Sequence, residues 1–211
     1  MSHNLYPPVK RMLDIFFAVL LLVLLSPLMA GVAVAAVIAQ GRPGFFIQTR
    51  PGLLGEPFNL CKFRTMESET GLVPSQTYAN RLTPLGRFLR KFSLDELPQL
   101  WNVVRGDMSL VGPRPLLAQY LELYDSRQST RHNVRPGLTG LAQVNGRNTL
   151  TWVERLELDA QYVETCSFRS DFSIVLKSLV VVSLGRGVNP QGTELMEPFS
   201  GSKPEPGAES L

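Results

Sequence analysis

The longest unbroken pattern along the chain is apolar: residues Ile15 to Ala39 carry no charged side chain. As straight helix, this run would measure about 37 Å, more than the roughly 30 Å hydrocarbon core of a bilayer. Length by itself predicts a transmembrane helix. A cleaved signal peptide fits poorly, because the run is too long and no clear A-x-A-like site follows it. Two details argue against a simple span. Ser26-Pro27 sits near the centre, where proline removes a backbone donor and clashes with the preceding turn, so a strong bend is expected. Basic residues also flank both ends, Lys10 and Arg11 before the run and Arg42 and Arg50 after it. Positive flanks mark the cytoplasmic side. A helix that turns and leaves by the leaflet it entered fits these residues, and so does a Pro-kinked span.

Beyond the anchor the periodicity shortens and turn residues multiply. Gly41 to Phe63 mixes Gly and Pro with short β-prone pieces, predicting turns and one small hairpin, while the polar stretch Glu67 to Asn80 predicts a mobile loop. Thr83-Pro84 predicts a helix start, with a capping side chain before a proline in the first turn. A second helix is expected from Ser93–Pro98 through Trp101 and Val104. A third follows Pro115 with Leu117, Tyr120, Leu121 and Tyr124 on one face. Thr151-Trp152-Val153-Glu154 has the form of a capping box opening a helix toward Cys166. Phe172 to Leu184 is a very apolar helix of only about 20 Å. It is too short to span, and packing in the core is the default over lying on the interface. The expected organisation is a membrane segment over 1–40, one domain over 41–200 and a disordered Pro/Gly/Ser-rich tail over 201–211.

Composition changes this picture in two ways. Charged residues make up 18% of the 211-residue chain, below the roughly 25% of soluble domains, which points toward lipid. The net charge of +3 also hides a gradient: 13 Lys and Arg against 8 Asp and Glu from Gly41 to Gly137, then 6 against 9 onward. A basic middle suits phosphate, lipid headgroups or nucleic acid, or is simply a mixed solvated surface. Cys61 and Cys166 do not form a close-spaced pair and read as reduced packing residues. His3 and His132 are too few and too far apart for a metal site or a Ser-His-Asp triad.

The sharpest candidate chemistry is Ser93-Leu94-Asp95-Glu96-Leu97-Pro98. Adjacent carboxylates at a helix start are stabilised by free backbone N–H groups and the helix dipole, and Ser93 with Glu96 also fits an ordinary capping box. Arg87, Arg90 and Lys91 precede them at spacings that share a helix face, and are expected to hold Asp95 ionised. A carboxylate pair beside cations suits Mg²⁺ with phosphate, or a carboxylate that attacks phosphorus; the residues alone leave both open. Lys62, Arg64, Arg114, Arg135 and Arg147 sit in turn-rich contexts, the last three beside Gly and Pro, suited to phosphate contact. No Walker A loop or dinucleotide fingerprint is present.

Four strings in order carry a resemblance: Cys61-Lys-Phe-Arg-Thr-Met66, Ser93-Leu-Asp-Glu-Leu-Pro-Gln-Leu-Trp-Asn102, Gly106-Asp-Met-Ser-Leu-Val-Gly-Pro-Arg-Pro115, and Arg135-Pro-Gly-Leu-Thr-Gly-Leu-Ala-Gln-Val-Asn-Gly-Arg-Asn148. Together they resemble the bacterial sugar transferases, the monotopic phosphoglycosyl transferases, from about Pro8 to Phe199. The chain is most similar to small members built of the catalytic core alone, such as those acting on diacetylbacillosamine in bacterial N-glycosylation.

The resemblance implies an α/β, mainly helical fold: a re-entrant helix-break-helix with its break at Ser26 and Pro27, short strands and interfacial amphipathic helices. It implies transfer of a sugar 1-phosphate from a UDP-sugar to polyprenyl (undecaprenyl) phosphate with release of UMP and a requirement for Mg²⁺. Asp95 then matches the nucleophile and Glu96 the Mg²⁺ ligand. Lys62, Arg64, Arg87, Arg90, Arg114, Arg135 and Arg147 match phosphate or nucleotide contacts. UDP-diacetylbacillosamine, UDP-galactose, UDP-glucose and UDP-N-acetylhexosamines are the candidate donors. The implied setting is the bacterial inner membrane with the catalytic domain facing the cytoplasm, no nucleic acid partner, and a homodimer allowed. The alternative from another class is a membrane-anchored adaptor binding anionic lipid or nucleic acid through the basic middle.

Overall fold

The computed structural model describes residues 6–67, 81–146, 149–184 and 198–201. Of the expected loop over Glu67 to Asn80, all but Glu67 lies outside them, as does the tail beyond 201. Helix α1, Tyr6–Gln40, is long and apolar enough to cross a membrane, and little of its apolar stretch is buried. The expected break at Ser26-Pro27 is not observed, since the helix continues through Pro27. The reason is local. Proline leaves the carbonyl four residues back without its N–H donor, and the Ser26 hydroxyl donates to that carbonyl, Val23 O, at 2.8 Å.

α1 is fastened to the rest of the molecule along its length. Near its start, Arg11 donates to the carbonyls of Val103 (2.7 Å) and Val104 (3.1 Å), and Asp14 accepts from the Ser109 hydroxyl (2.6 Å) and the Leu110 N–H (3.1 Å). Ala18, Leu21 and Leu22 then pack on Leu100, Val103 and Met108, and Met29, Val32 and Ala33 pack on Phe63 and Leu89. At its end Gln40 donates to the Thr83 hydroxyl at 2.9 Å. The other side is an apolar face open to the surroundings, including Phe16, Val23, Leu24, Leu28, Val34 and Ile38.

The expected hairpin is present: β1, Phe45–Pro51, pairs antiparallel with β2, Pro57–Phe63, from Phe45 opposite Phe63 to Pro51 opposite Pro57. Helix α2, Pro84–Lys91, starts at the expected cap, with Thr83 Oγ1 accepting from the Gly86 N–H at 2.9 Å. A short 3-10 turn, Leu94–Glu96, leads to α3, Gln99–Arg105. Strands β3, Ser109–Val111, and β4, Gly137–Thr139, run parallel. They approach so closely that a Cβ on Gly137 would lie 2.1 Å from Gly112 N. These glycines are what lets the two backbones pack this closely.

After Pro115 the expected helix is a 3-10 segment, Ala118–Leu123, which buries Tyr120 but leaves Leu121 exposed. A tighter helix rotates its faces away from the 3.6-residue pattern. α4, Ser126–Ser129, and α5, Leu141–Val144, are single turns. α6, Trp152–Thr165, has the expected capping box between Thr151 and Glu154. α7, Phe168–Ser183, corrects the core expectation: it buries Asp171 and Ile174 while Phe168, Phe172, Leu176, Leu179 and Val180 face outward.

Candidate active site

The turn carrying Asp95 and Glu96 is set by an unusual residue before it. Ser93 has φ 55°, left-handed backbone that a serine adopts at a cost, and it makes no capping hydrogen bond. The expected capping box is thus replaced by ionic contacts. Glu96 Oε1 accepts from Lys62 Nζ of β2 at 2.8 Å and from Arg114 Nη2 at 2.7 Å. Charged donors are stronger partners for a carboxylate than a backbone N–H.

Both carboxylates are buried, yet their environments push them apart. For Glu96, burial favours the neutral acid, but Arg114 and Lys62 outweigh it and hold its carboxyl far below the usual range. Burial and the neighbouring Glu96 push the Asp95 carboxyl up, against Lys62, Arg90 and Arg114. The cations act in the expected direction, and burial with Glu96 outweighs them. Among the described residues no group donates a hydrogen bond to the Asp95 carboxylate. Lys62 in turn has its ammonium pulled below its ordinary value by burial, with Glu96 opposing.

The pair faces a cavity of about 630 Å³, within the roughly 300–1,000 Å³ of small-ligand sites. Lys62, Arg64, Arg90 and Arg114 line it, as the sequence suggested. Arg90 Nε also donates to Thr65 Oγ1 at 3.0 Å. Arg87 is not on the cavity wall; its guanidinium donates to Leu82 O at 3.2 Å, at the start of its own helix. Arg135 is likewise spent on structure, donating to Gly106 O at 2.8 Å. Arg147 lies outside the described residues.

Among the lining residues that were not anticipated are Arg50, Gln143, Arg155 and Asp159. Arg155 and Asp159 are four apart on α6, a spacing that could have placed them on one face. Asp159 Oδ2 pairs with Arg131 at 2.8 Å, both side chains being 1% exposed, and Arg131 also donates to the carbonyl of Arg114 at 2.6 Å. That bond fixes the backbone from which Arg114 reaches Glu96.

Two carboxylates do not make a closed metal cage, and among the described residues no group of three or more acidic, His or Cys side chains could form one. The donor set suits Mg²⁺, which keeps waters and takes the rest of its oxygens from substrate phosphates. Glu96, held anionic, fits that role.

A cavity lined by cations around two carboxylates, beside a long apolar helix, is compatible with several phosphate chemistries. The profile of the bacterial sugar transferases matches residues 5–185. The chain belongs to the bacterial sugar transferase family. It is 45% identical over 197 residues to the uncharacterized sugar transferase EpsL of Bacillus subtilis, covering 92% of this chain and 96% of that one. It is 44% identical over 181 residues to a UDP-glucose:undecaprenyl-phosphate glucose-1-phosphate transferase of Caulobacter vibrioides, covering 81% and 68%. With the undecaprenyl-phosphate galactose phosphotransferase of Salmonella typhimurium it shares 38% identity over 191 residues, 82% of this chain and 40% of that one. Family membership makes the chain an enzyme of sugar transfer, as the four motifs implied, and sets the membrane-anchored adaptor aside.

Proposed function

We propose that this sugar transferase moves a hexose 1-phosphate from a UDP-sugar to undecaprenyl phosphate, releasing UMP. The observation that carries the reading is the buried Asp95-Glu96 pair, one carboxylate bound by two cations and the other free of hydrogen bonds among the described residues, at the wall of a cation-lined cavity. The names of the relatives from Caulobacter and Salmonella supply the two substrates. Glucose and galactose in those names favour a hexose donor over UDP-diacetylbacillosamine.

The free carboxylate is the nucleophile. An Asp95 oxygen attacks the phosphorus that bears the sugar, the bond from that phosphorus to the bridging oxygen breaks, and UMP leaves with the electron pair. A phosphate oxygen of the lipid then attacks the same phosphorus and expels the Asp95 carboxylate, giving the lipid diphosphosugar. A raised carboxyl pKa makes Asp95 the more basic, better nucleophile of the two. Lys62, Arg90 and Arg114 offset the charge that repels an anion from a diphosphate. Mg²⁺ held by Glu96 would add positive charge at the diphosphate oxygens.

The same reading puts α1 in one leaflet, with the catalytic domain on the cytoplasmic face of the inner membrane. Both ends of α1 are bound to one folded unit, through Arg11 and Asp14 at one end and Gln40 at the other. A spanning helix would carry its ends to opposite faces. The outward apolar faces of α1 and α7 and the exposed Phe45, Phe46 and Ile47 of β1 supply further lipid-facing surface, and Phe46 also lines the cavity.

A panel of UDP-glucose, UDP-galactose, UDP-N-acetylhexosamines and UDP-diacetylbacillosamine, assayed with Mg²⁺ for UMP release, tests the reaction and names the sugar. Without lipid acceptor, intact mass should show a phosphosugar adduct that disappears in Asp95→Asn. An adduct retained in that variant would remove Asp95 from the role. Single cysteines near Asn4 and at Gln48, in a background lacking Cys61 and Cys166, should both resist an external reagent in intact cells. Labelling of one end alone would mean a spanning helix.

A further inference from the structure

Four buried polar atoms on the cavity wall have no hydrogen-bond partner among the described residues: Gln143 Oε1 and Nε2, Asp159 Oδ1 and Arg50 Nε. Gln143 is 8% exposed and Asp159 1%. Buried polar groups are ordinarily satisfied, so orphans gathered on residues that line one cavity point to a ligand that completes them. The dyad and its cations account for phosphates, and Arg50 Nε also suits an anion. The Gln143 amide and Asp159 Oδ1 ask for something else, because together they offer a planar donor-acceptor pair and an acceptor rather than positive charge.

Their positions are fixed by packing. Gln143 lies on α5, which packs against α6, the helix carrying Asp159. Its Oε1 stands only 2.7 Å from where a Cβ on Gly140 would be. That same Cβ would fall 2.2 Å from Gly112 O, so the amide rests against the glycine turn that leads through Pro113 to Arg114. Asp159 has one oxygen committed to Arg131, leaving Oδ1 as its unpartnered oxygen.

We propose that Gln143 binds the pyrimidine edge of the nucleotide and that Asp159 Oδ1 accepts a hydrogen bond from its ribose. This deepens the proposed function and rests on the donor being a UDP-sugar. A glutamine amide presents an acceptor and a donor in one plane, side by side. The uracil edge presents the complement, an N3–H beside a carbonyl oxygen, so two parallel hydrogen bonds satisfy both orphaned amide atoms. The hydroxyls of a hexose have no fixed plane and match this pair less well. Ribose hydroxyls are donors suited to Asp159 Oδ1, whereas a phosphate in that place would meet like charge.

The test uses the full chain in detergent or nanodiscs, with Gln143→Leu measured against wild type on the best UDP-sugar of the panel. The expected result is a rise of about ten-fold in both KM and the inhibition constant of UMP, with kcat changed little. Inhibition by ribose 5-phosphate, which lacks the base, should stay the same, as should the ratio of turnover on UDP-glucose and UDP-galactose. A shifted sugar ratio with unchanged UMP inhibition would overturn the assignment in favour of a sugar contact, and no shift in either would remove Gln143 from the ligand. Should Gln143→Leu fail to fold by thermal melting, Gln143→Glu keeps the shape and loses the donor, and is read in the same way. If wild type releases UMP from no UDP-sugar, the proposed function fails instead, and direct binding of UMP to wild type and variant still decides the role of Gln143.

Discussion

Two buried charge clusters in this molecule look alike in composition and differ in completeness. At the start of α1, Asp171 accepts from the Tyr6 hydroxyl (2.6 Å), Lys10 Nζ and the Tyr162 hydroxyl (2.8 Å), and neighbouring Asp14 has both oxygens bonded. Around the cavity, Glu96 is bound by Lys62 and Arg114, but Asp95 has no donor among the described residues, and Gln143 and Asp159 keep open valences. The first cluster is closed on itself and welds the long apolar helix to α7 and β3. The second is left unfinished where a ligand can reach it. Buried charge thus marks a working site when its hydrogen bonds end in a cavity, and a structural joint when they do not.

The sharpest way to break this comparison is to neutralise one carboxylate from each cluster. Asp95→Asn should lower UMP release by at least about 10³-fold. Its melting temperature should be unchanged or higher, because a buried carboxylate beside Glu96 costs the fold. A clear loss of stability in that variant would mean that Asp95 is structural after all.

Asp171→Asn is the converse, with the larger effect on stability. It leaves the Lys10 ammonium short of its partner, with the two side chains only 14% and 10% exposed. Breaking such a pair costs about 3 kcal/mol. Unfolding in detergent should show that loss, while turnover per folded molecule stays near wild type. Loss of turnover without loss of stability would erase the distinction between joint and site.

The unequal legibility of the two clusters has a physical basis. Signals confined to a few neighbouring residues were readable: the hairpin, the Thr83-Pro84 cap and the Thr151-Glu154 capping box. Asp95 and Glu96 stood out because they are adjacent and acidic. Lys62 and Arg114 stood out as phosphate contacts but not as partners of Glu96, which they meet only through the fold, and Arg87, near in sequence, points its bonds at Leu82. The pairing of Lys10 with Asp171 spans 161 positions, so Lys10 read as a membrane flank and Asp171 as an unremarked residue just before an apolar helix. Ser93 gave no sign of its left-handed backbone, because serine is also among the commonest caps.

A third variant probes the other attachment of α1. Thr83 Oγ1 accepts from both Gly86 N–H and Gln40 Nε2, each at 2.9 Å, so it caps α2 and holds the end of α1. Thr83→Ala should cost about 1 kcal/mol, and Thr83→Ser should restore most of it. Failure of serine to restore would assign the loss to the methyl group rather than the hydroxyl.

The smallest effect is expected at a third charge cluster, which sets the scale for the other two. Arg127 donates to both oxygens of Glu157 at 2.7 Å and to Glu164 at 2.9 Å, a denser set of short ion pairs than surrounds Asp95. Geometry alone would rank it first. All three side chains are exposed, however, so water competes for every bond and the long side chains lose freedom in making them. Arg127→Ala should therefore leave both the melting temperature and UMP release unchanged. A drop in melting comparable to that of Asp171→Asn would show that contact distance, and not burial and completeness, decides which charge clusters matter in this fold.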